Sequence, residues 1–326
     1  MSTTPENEIA SIFSHFDSNL QAMVYKNWRC DDCGAVCHCV RMESYVETII
    51  FTWNHERFIG DAIMSWRKQV LKNSSTLVIN DDASSDTTVQ IAMKHINESK
   101  SPITLIARAN NQYKVSRFLF VFQLYLNSKS KYLAVLDGDD YWCSTDKLRL
   151  ATQLLDASPE SALIFHDFYV PLRSVPLTSL QNPSKASAKN VSVTSLLSEN
   201  PIGALTAVFR PNLLPRKIPR GFEALQIADL PIWCALAKQG TILYLPKPLA
   251  VYRIHDQNYF ANLNKTSQLK AHRQAANYAR KNFFLEQGQP YKTVTRSSRM
   301  NVLIRLRFTP SHWLRVFGRI PTIFSK

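Results

Sequence analysis

Between Val46 and Phe165 short apolar runs alternate with longer amphipathic ones, and this rhythm restricts the fold more than any other feature of the chain. VETIIFT (46–52), TLVI (76–79), 103–107, 132–136 and 162–165 each read as a strand, short, apolar and mostly rich in β-branched residues. Between the first two, residues 58–70 place Phe58, Ile59, Ala62, Ile63, Trp66 and Val70 at helical spacing. A second helix begins where Asp86 or a neighbouring Ser can cap it and runs to about Ile96. Residues 115–126 suggest a third helix, although their Phe-Leu-Phe-Val-Phe run also fits a strand, and 147–155 suggest a fourth. Strands alternating with helices of this length form βαβ units, which lay strands in parallel. The expected fold class is therefore α/β, a mainly parallel Rossmann-like sheet flanked by helices.

The pattern lapses over the Ser- and Pro-rich residues 171–195 and then resumes. Residues 204–209 read as a strand and 225–238 as a helix despite Pro231, closed by Gly240 in the left-handed conformation that glycine tolerates. Two strands, 241–245 and 249–252, and a long helix, 267–285, follow. Residues 1–44 show no clear core pattern. The expected organisation is a Cys-rich lead segment (1–44), a central domain (45–260) with halves at 45–167 and 195–260, and a basic helical extension (261–326).

Charge is unevenly spread. The 326 residues carry net +14, yet residues 265–326 hold thirteen Lys or Arg against Glu286 alone. In that tail Met300, Leu303, Leu306, Phe308, Trp313 and Phe317 are mixed with Arg305, Arg307, Arg315 and Arg319. Such a mixture suits a helix lying in a membrane interface, and equally a helix packed on the domain. An anionic membrane surface is the partner expected of the tail, and nucleic acid is not. No apolar run approaches the roughly 18 residues of a membrane-crossing helix, and the first ten residues lack a basic segment followed by an apolar one. A cytoplasmic protein with reduced thiols is expected, peripheral on the cytoplasmic face if the tail binds lipid.

The most informative acids sit where strands end. LAVLDGDDYW (133–142) runs four apolar residues into Asp137, Asp139 and Asp140, and TLVIN is followed by Asp81 and Asp82. In an open parallel sheet, residues just after the strands face a common crevice. Thr52, Trp53 and Asn54, at the end of the first strand, would join the five carboxylates there. Acids this close repel one another unless a cation intervenes, and hard divalent ions prefer oxygen ligands. An isolated DGDD reads more readily as a surface turn; its place after a buried strand, beside a second acidic strand end, favours a cation and a diphosphate.

A second candidate metal site is Cys30-x₂-Cys33-x₃-Cys37-x-Cys39. Four thiolates can bind structural zinc, but Cys37 and Cys39 are close for a chelating pair, so reduced thiols remain the other reading. Cys143 and Cys234 read as ordinary thiols.

VETIIFTWNHERFIGDAIMSW, LVINDDASSDTT and YLAVLDGDDYWCSTDKL, in that order, resemble the family 2 glycosyltransferases of the GT-A fold, over roughly residues 46–257. The resemblance implies transfer of a sugar, with inversion, from a nucleotide-sugar donor, UDP-linked, to a glycan or lipid-linked acceptor hydroxyl in cell-surface glycan synthesis, with Mn²⁺ or Mg²⁺. It implies that Thr52, Trp53 and Asn54 meet the nucleotide, that Asp82 binds the base, and that Asp137, Asp139 and Asp140 form the DxD region. Asp139 would lie on the ribose and metal side and Asp140 would ligate the metal beside it. Asp229, in IADLPIW, matches the catalytic base. YRIH (252–255) matches a closing motif that would bring His255 to the metal, although a His beside a Tyr-Arg pair is more often structural. Arg210 and Arg253 can pair with phosphates or with surface acids. Phe51, Ala83 and Asn111-Gln112-Tyr113 depart from the usual Pro, Gly and Asn-x-Gly. The rival reading is a nucleic-acid- or membrane-binding protein with an inactive transferase-like body. With eight glycines, no GxGxxG and no GxxxxGK[ST], dinucleotide-binding and P-loop enzymes are excluded.

Overall fold

The computed structural model describes residues 13–17, 22–27, 43–170, 193–258 and 260–284. The four clustered cysteines, residues 171–192 and the tail from residue 285 lie outside the described residues, so the zinc and membrane expectations are not addressed by it.

A ten-stranded mixed sheet runs through the molecule in the order β1-β2-β5-β4-β3-β6-β9-β8-β10-β7. Its centre is the parallel run β5 (Ile103–Arg108), β4 (Ser75–Asp81), β3 (Val46–Thr52) and β6 (Tyr132–Asp137). These strands are buried along nearly their whole length, so they read as continuous apolar runs rather than alternating ones. The helices α1 (Ile59–Arg67), α2 (Thr88–Asn97), α4 (Leu119–Leu126) and α5 (Lys147–Ala157) connect or flank them. Two apolar layers result, one on each face of the sheet. One gathers Ile50, Ile63, Trp66, Ile79 and Leu136; the other gathers Ile49, Val135, Phe122, Phe209 and Trp233.

Several local expectations are corrected. Residues 204–209 form a single 3₁₀ turn, Ala204–Thr206, and then a two-residue strand, β9 (Val208–Phe209). β9 is antiparallel to β6 and to β8 (Ser161–Tyr169), so it reverses the direction of the sheet at this point. The two strands expected over 241–252 are one, β10 (Thr241–Val251), which pairs in parallel with β8 and with β7 (Tyr141–Trp142) antiparallel. Its register slips between Leu245 and Pro248, where proline cannot donate to a ladder. Residues 115–126 are helical but broken: α3 (Gln112–Ser116) and α4 are separated at Arg117, whose φ is 47°. Helix α1 ends at Arg67, leaving Val70 exposed rather than on the buried face.

Gly240 does not adopt the left-handed conformation; among the described glycines only Gly221 has positive φ. Gly240 is needed for close approach instead, since a Cβ there would lie 2.5 Å from the Glu160 carbonyl oxygen.

The lead segment contributes to the fold. β1 (Phe13–Asp17) and β2 (Ala22–Lys26) form an antiparallel pair, and β2 pairs with β5 with Ala22 and Val24 fully buried. At the other end, α6 (Val193–Glu199) leads towards α7 (Asp229–Ala237), and α8 (Lys265–Ala279) packs Ala275, Ala276 and Ala279 into the second apolar layer. The start of the expected basic extension is thus part of the core.

Candidate active site

Parallel pairing aligns the carboxyl ends of β3, β4 and β6. Thr52 stands opposite Asp81, and Phe51 opposite Asp137. The chain after each strand is tied back to β3: Asp82 N donates to the Thr52 carbonyl at 2.9 Å and Gly138 N to that of Phe51 at 2.7 Å. The rim predicted from the sequence is formed.

Two residues on this rim hold left-handed backbone, Asn54 (φ 53°) and Ala83 (φ 63°). Asn54 tolerates it, and its Oδ1 accepts from Ser85 N at 2.8 Å. Ala83 stands where the resemblance leads one to expect glycine and keeps the glycine-like conformation. Thr52 is buried, and Trp53, at 47% exposure, is one of the few large apolar side chains left open to solvent among the described residues. Gly138 allows the close packing here, because a Cβ would fall 2.7 Å from Thr52 Oγ1 and 2.9 Å from His55 Nδ1.

The paired acids of β4 have local work. Asp81 accepts from the N–H and hydroxyl of Ser84. Asp82 Oδ1 accepts from Gln112 N at 2.6 Å and Oδ2 from Tyr113 N at 3.0 Å, which anchors the start of α3. Burial raises the Asp82 carboxyl more than these two amides lower it.

Asp137, Asp139 and Asp140 crowd the end of β6. Burial, then the charges of Asp139 and Asp229, push Asp137 well above the usual carboxylate range. Asp140 is pushed the same way by burial and by its two neighbours. Its Oδ1 accepts from Arg253 N at 2.8 Å, while its buried Oδ2 has no hydrogen-bond partner among the described residues. Burial also works to raise Asp139, but a hydrogen bond from His255 and the charges of His55 and His255 outweigh it, and the carboxyl lies below its ordinary value.

The second half of the chain closes over this cluster. Arg253 follows β10; its guanidinium donates to the Asp139 carbonyl at 3.1 Å, pairs with Asp61, and lies between the rings of Phe58 and Tyr141, 5.3 and 4.4 Å from their centroids. Arg253 therefore braces the acid cluster from behind. Arg210 lies elsewhere, donating to the carbonyls of Ser161 and Leu155. His255 Nε2 is 3.0 Å from Asp139 Oδ2, and Asn258 Nδ2 is 2.9 Å from the same oxygen. His55 approaches it at 3.9 Å. Sequence reasoning missed His55 and Asn258, although each stands within three residues of a residue it singled out.

Asp229 opens α7, which therefore begins four residues later than expected. Pro231 then falls in the first turn, where its missing N–H costs no helical hydrogen bond. Burial lifts the Asp229 carboxyl to about 6. Its charge is felt by Asp137, Tyr125 and Tyr252, and Tyr252 also feels Asp137, Asp139 and Asp140. The fold thus brings Asp229 to the acidic rim from some ninety residues further along the chain.

Among the described residues no three His, Cys, Asp or Glu side chains converge as a ready-made metal site. The cluster has the chemistry for a hard cation all the same: all-oxygen donors, mutual repulsion, and a buried, unpartnered Asp140 Oδ2. No described helix is long and apolar enough to cross a membrane. A separate cavity of about 580 Å³ lies at the opposite, amino-terminal ends of β3, β4 and β6, lined by Ser44, Ser74, Ser130, Lys131 and Arg210 among others.

Residues 48–185 match the model of Glycosyl transferase family 2. The uncharacterized protein Rv1520 of Mycobacterium tuberculosis and its counterpart Mb1547 of Mycobacterium bovis are 29% identical over 209 residues, 64% of this chain. The match spans 58% of those relatives' length. Staphylococcus aureus TarS, residues 1–349 in complex with UDP-GlcNAc, superposes with a TM-score of 0.54 at 17% identity, covering 84% of this chain and 76% of TarS. The mannosyltransferase PcManGT of Pyrobaculum calidifontis, in complex with GDP-Man and Mn²⁺, superposes at 0.52 and 17%, covering 71% of this chain and 63% of its own. Residues 48–185, which include the acid-tipped parallel strands, thus match glycosyl transferase family 2, and the chain carries the GT-A fold of these neighbours.

Proposed function

We propose that this protein moves a sugar, with inversion, from a UDP-linked donor to an acceptor hydroxyl, in a cation-dependent reaction that builds cell-surface glycan. The observation that carries the reading is Asp229: a carboxyl lifted to about 6 by burial, beside the acids at the end of β6. Such a group is ionised at neutral pH yet basic enough to take a proton, a contribution of roughly 10²–10⁴-fold for a well-placed general base. In TarS and PcManGT, UDP-GlcNAc and GDP-Man are the bound nucleotide sugars, and PcManGT also holds Mn²⁺.

The roles are these. Trp53 offers its exposed ring to the base, with Thr52, Asn54 and Asp82 around the nucleoside. Asp137 and Asp139 face the ribose and diphosphate side. Asp139 and Asp140 would hold Mn²⁺ or Mg²⁺, which when bound offsets charge on the departing diphosphate. The acceptor hydroxyl gives its proton to Asp229 as its oxygen bonds to the anomeric carbon and the bond to the diphosphate oxygen breaks. A single displacement of this kind inverts the anomeric centre. The acceptor is a glycan or a lipid-linked sugar, and the basic residues beyond 265 favour an anionic membrane surface.

Release of nucleoside diphosphate from a panel of nucleotide sugars, with Mn²⁺ or Mg²⁺, tests the proposal. Cation-dependent release of UDP is expected, and Asp229→Asn is expected to fold and to lose transfer. Full transfer by that variant removes Asp229 from its role; no release from any donor refutes the function.

A further inference from the structure

Helix α8 carries no acid. Its inner face is Ala271, Ala275, Ala276 and Ala279. Its solvent face is the exposed stripe Lys270, Arg273 and Asn277, continued by Lys281 in the turn that follows. These positions recur every three or four residues, so they stand in one row about 17 Å long. A second row lies alongside. Gln274 and Tyr278, one step round the helix from the stripe, donate to the carbonyls of Ala224 and Pro219 at 2.9 and 2.7 Å. The chain around Pro219 is thereby fixed against α8, with Arg216, Lys217 and Arg220 exposed. The one acid in residues 211–224, Glu223, turns its carboxylate back onto Gly221 N–H at 3.1 Å. Among the described residues no ion pair joins any of these six cations to an acid.

Like charges held side by side by a folded scaffold repel one another and build a positive potential over the face. We propose that this folded face, and not the tail alone, docks the protein on the headgroups of an anionic bilayer. The large apolar side chains exposed among the described residues are Trp53, Val70 and Val115, and none lies on this face. It therefore offers no ring on which a base could stack. What it offers is charge in two adjacent rows, which suits a sheet of headgroups. The proposal deepens the membrane partner of the proposed function. Docking stands without that reading, and only delivery of a lipid-linked acceptor to Asp229 rests on it. α7, which Asp229 opens, packs in the same apolar layer as α8, so the docked face belongs to the half that carries the base.

Cosedimentation of the full chain with vesicles of phosphatidylglycerol and phosphatidylcholine in equal parts tests the face. Binding that falls as salt rises is expected, and none to phosphatidylcholine alone. Two triple variants divide the face by row: Arg216→Gln with Lys217→Gln and Arg220→Gln, and Lys270→Gln with Arg273→Gln and Lys281→Gln. Each is expected to keep the wild-type Tm and to bind about 10–100-fold more weakly, at roughly fivefold per cation. Lys72→Gln with Lys94→Gln and Lys100→Gln removes the same charge beside α1 and α2, which pack on the other apolar layer, and should bind as wild type. Wild-type binding by both face variants would leave the tail as the whole anchor and overturn the proposal. An equal loss in the α1–α2 variant would reduce the effect to net charge and overturn it too. So would binding to soluble heparin without binding to vesicles, which would assign the face to a polyanionic chain. Vesicle binding without release of UDP from any donor keeps the docking and fells the proposed function; release without vesicle binding does the reverse.

Discussion

Replacing Asp229 by Asn should make the protein more stable while abolishing transfer. Lifting an aspartate from 3.8 to about 6 sets about 3 kcal/mol against the folded state at neutral pH, at about 1.4 kcal/mol per tenfold. The sign follows from the direction. The folded carboxyl holds its proton more tightly than the unfolded one, so its contribution to stability is greatest below about 3.9 and is lost as pH rises through about 6. An amide of the same shape never ionises and escapes that loss. Urea denaturation of the two proteins from pH 4 to 8 is the assay. The Asn variant should lead by up to about 3 kcal/mol at pH 8, with Tm higher by roughly 4–5 °C. The lead should shrink through pH 6 and vanish near pH 4. A variant no more stable at pH 8, or a lead that persists at pH 4, would show that Asp229 is not desolvated, and the argument for it as a tuned base would collapse.

Ala83→Gly should stabilise by about 0.5–1 kcal/mol, because it relieves a left-handed alanine (φ 63°) at some cost in unfolded-chain entropy; calorimetry reads it, and a loss of stability would contradict it. Gly138→Ala should cost about 1–3 kcal/mol and weaken UDP binding, since the new methyl meets Thr52 and His55 at under 3 Å; denaturation and nucleotide titration check both. Lys147 is fully buried, with Nζ 3.8 Å above the Trp142 ring and no hydrogen-bond partner among the described residues, and burial holds its ammonium well below the ordinary range. Lys147→Met should therefore stabilise, and the gain should grow as pH falls from 9 to 6, because the unfolded lysine binds a proton that the folded one resists. Trp53→Ala should weaken UDP affinity by about 1–3 kcal/mol, the usual worth of a base stacked on an aromatic ring, with stability little changed.

What could be read from the sequence follows from burial. β3, β4, β5 and β6 are sandwiched between helices, so their apolar runs are continuous and their ends abrupt; Asp137 and Asp139 announce the rim by interrupting such a run. Elements shaped by distant partners are less legible. β10 contains Pro246 and Pro248, which read as a break, yet parallel pairing with β8 carries the strand across them through a shift in register. β2 is only five residues long and is recognisable as a strand only once β5 lies beside it. Val70 continues the helical spacing of residues 58–66, but the helix stops before it. In the site, the acids were visible because carboxylates at strand ends are unusual. Asn258 was not, because its partner Asp139 lies 119 residues away and the motif that marks its neighbourhood ends at His255.

The pairing of β2 with β5 has a consequence for how the chain matures. Ala22 meets Arg108, so β2 leaves the ribosome more than eighty residues before this second neighbour. Until β5 emerges, β2 has one open edge beside β1 and β4 is a bare border, the kind of surface on which nascent chains stick to one another. Fragments that stop short of residue 103 should therefore clump, and those that reach past Arg108 should stay dispersed for longer.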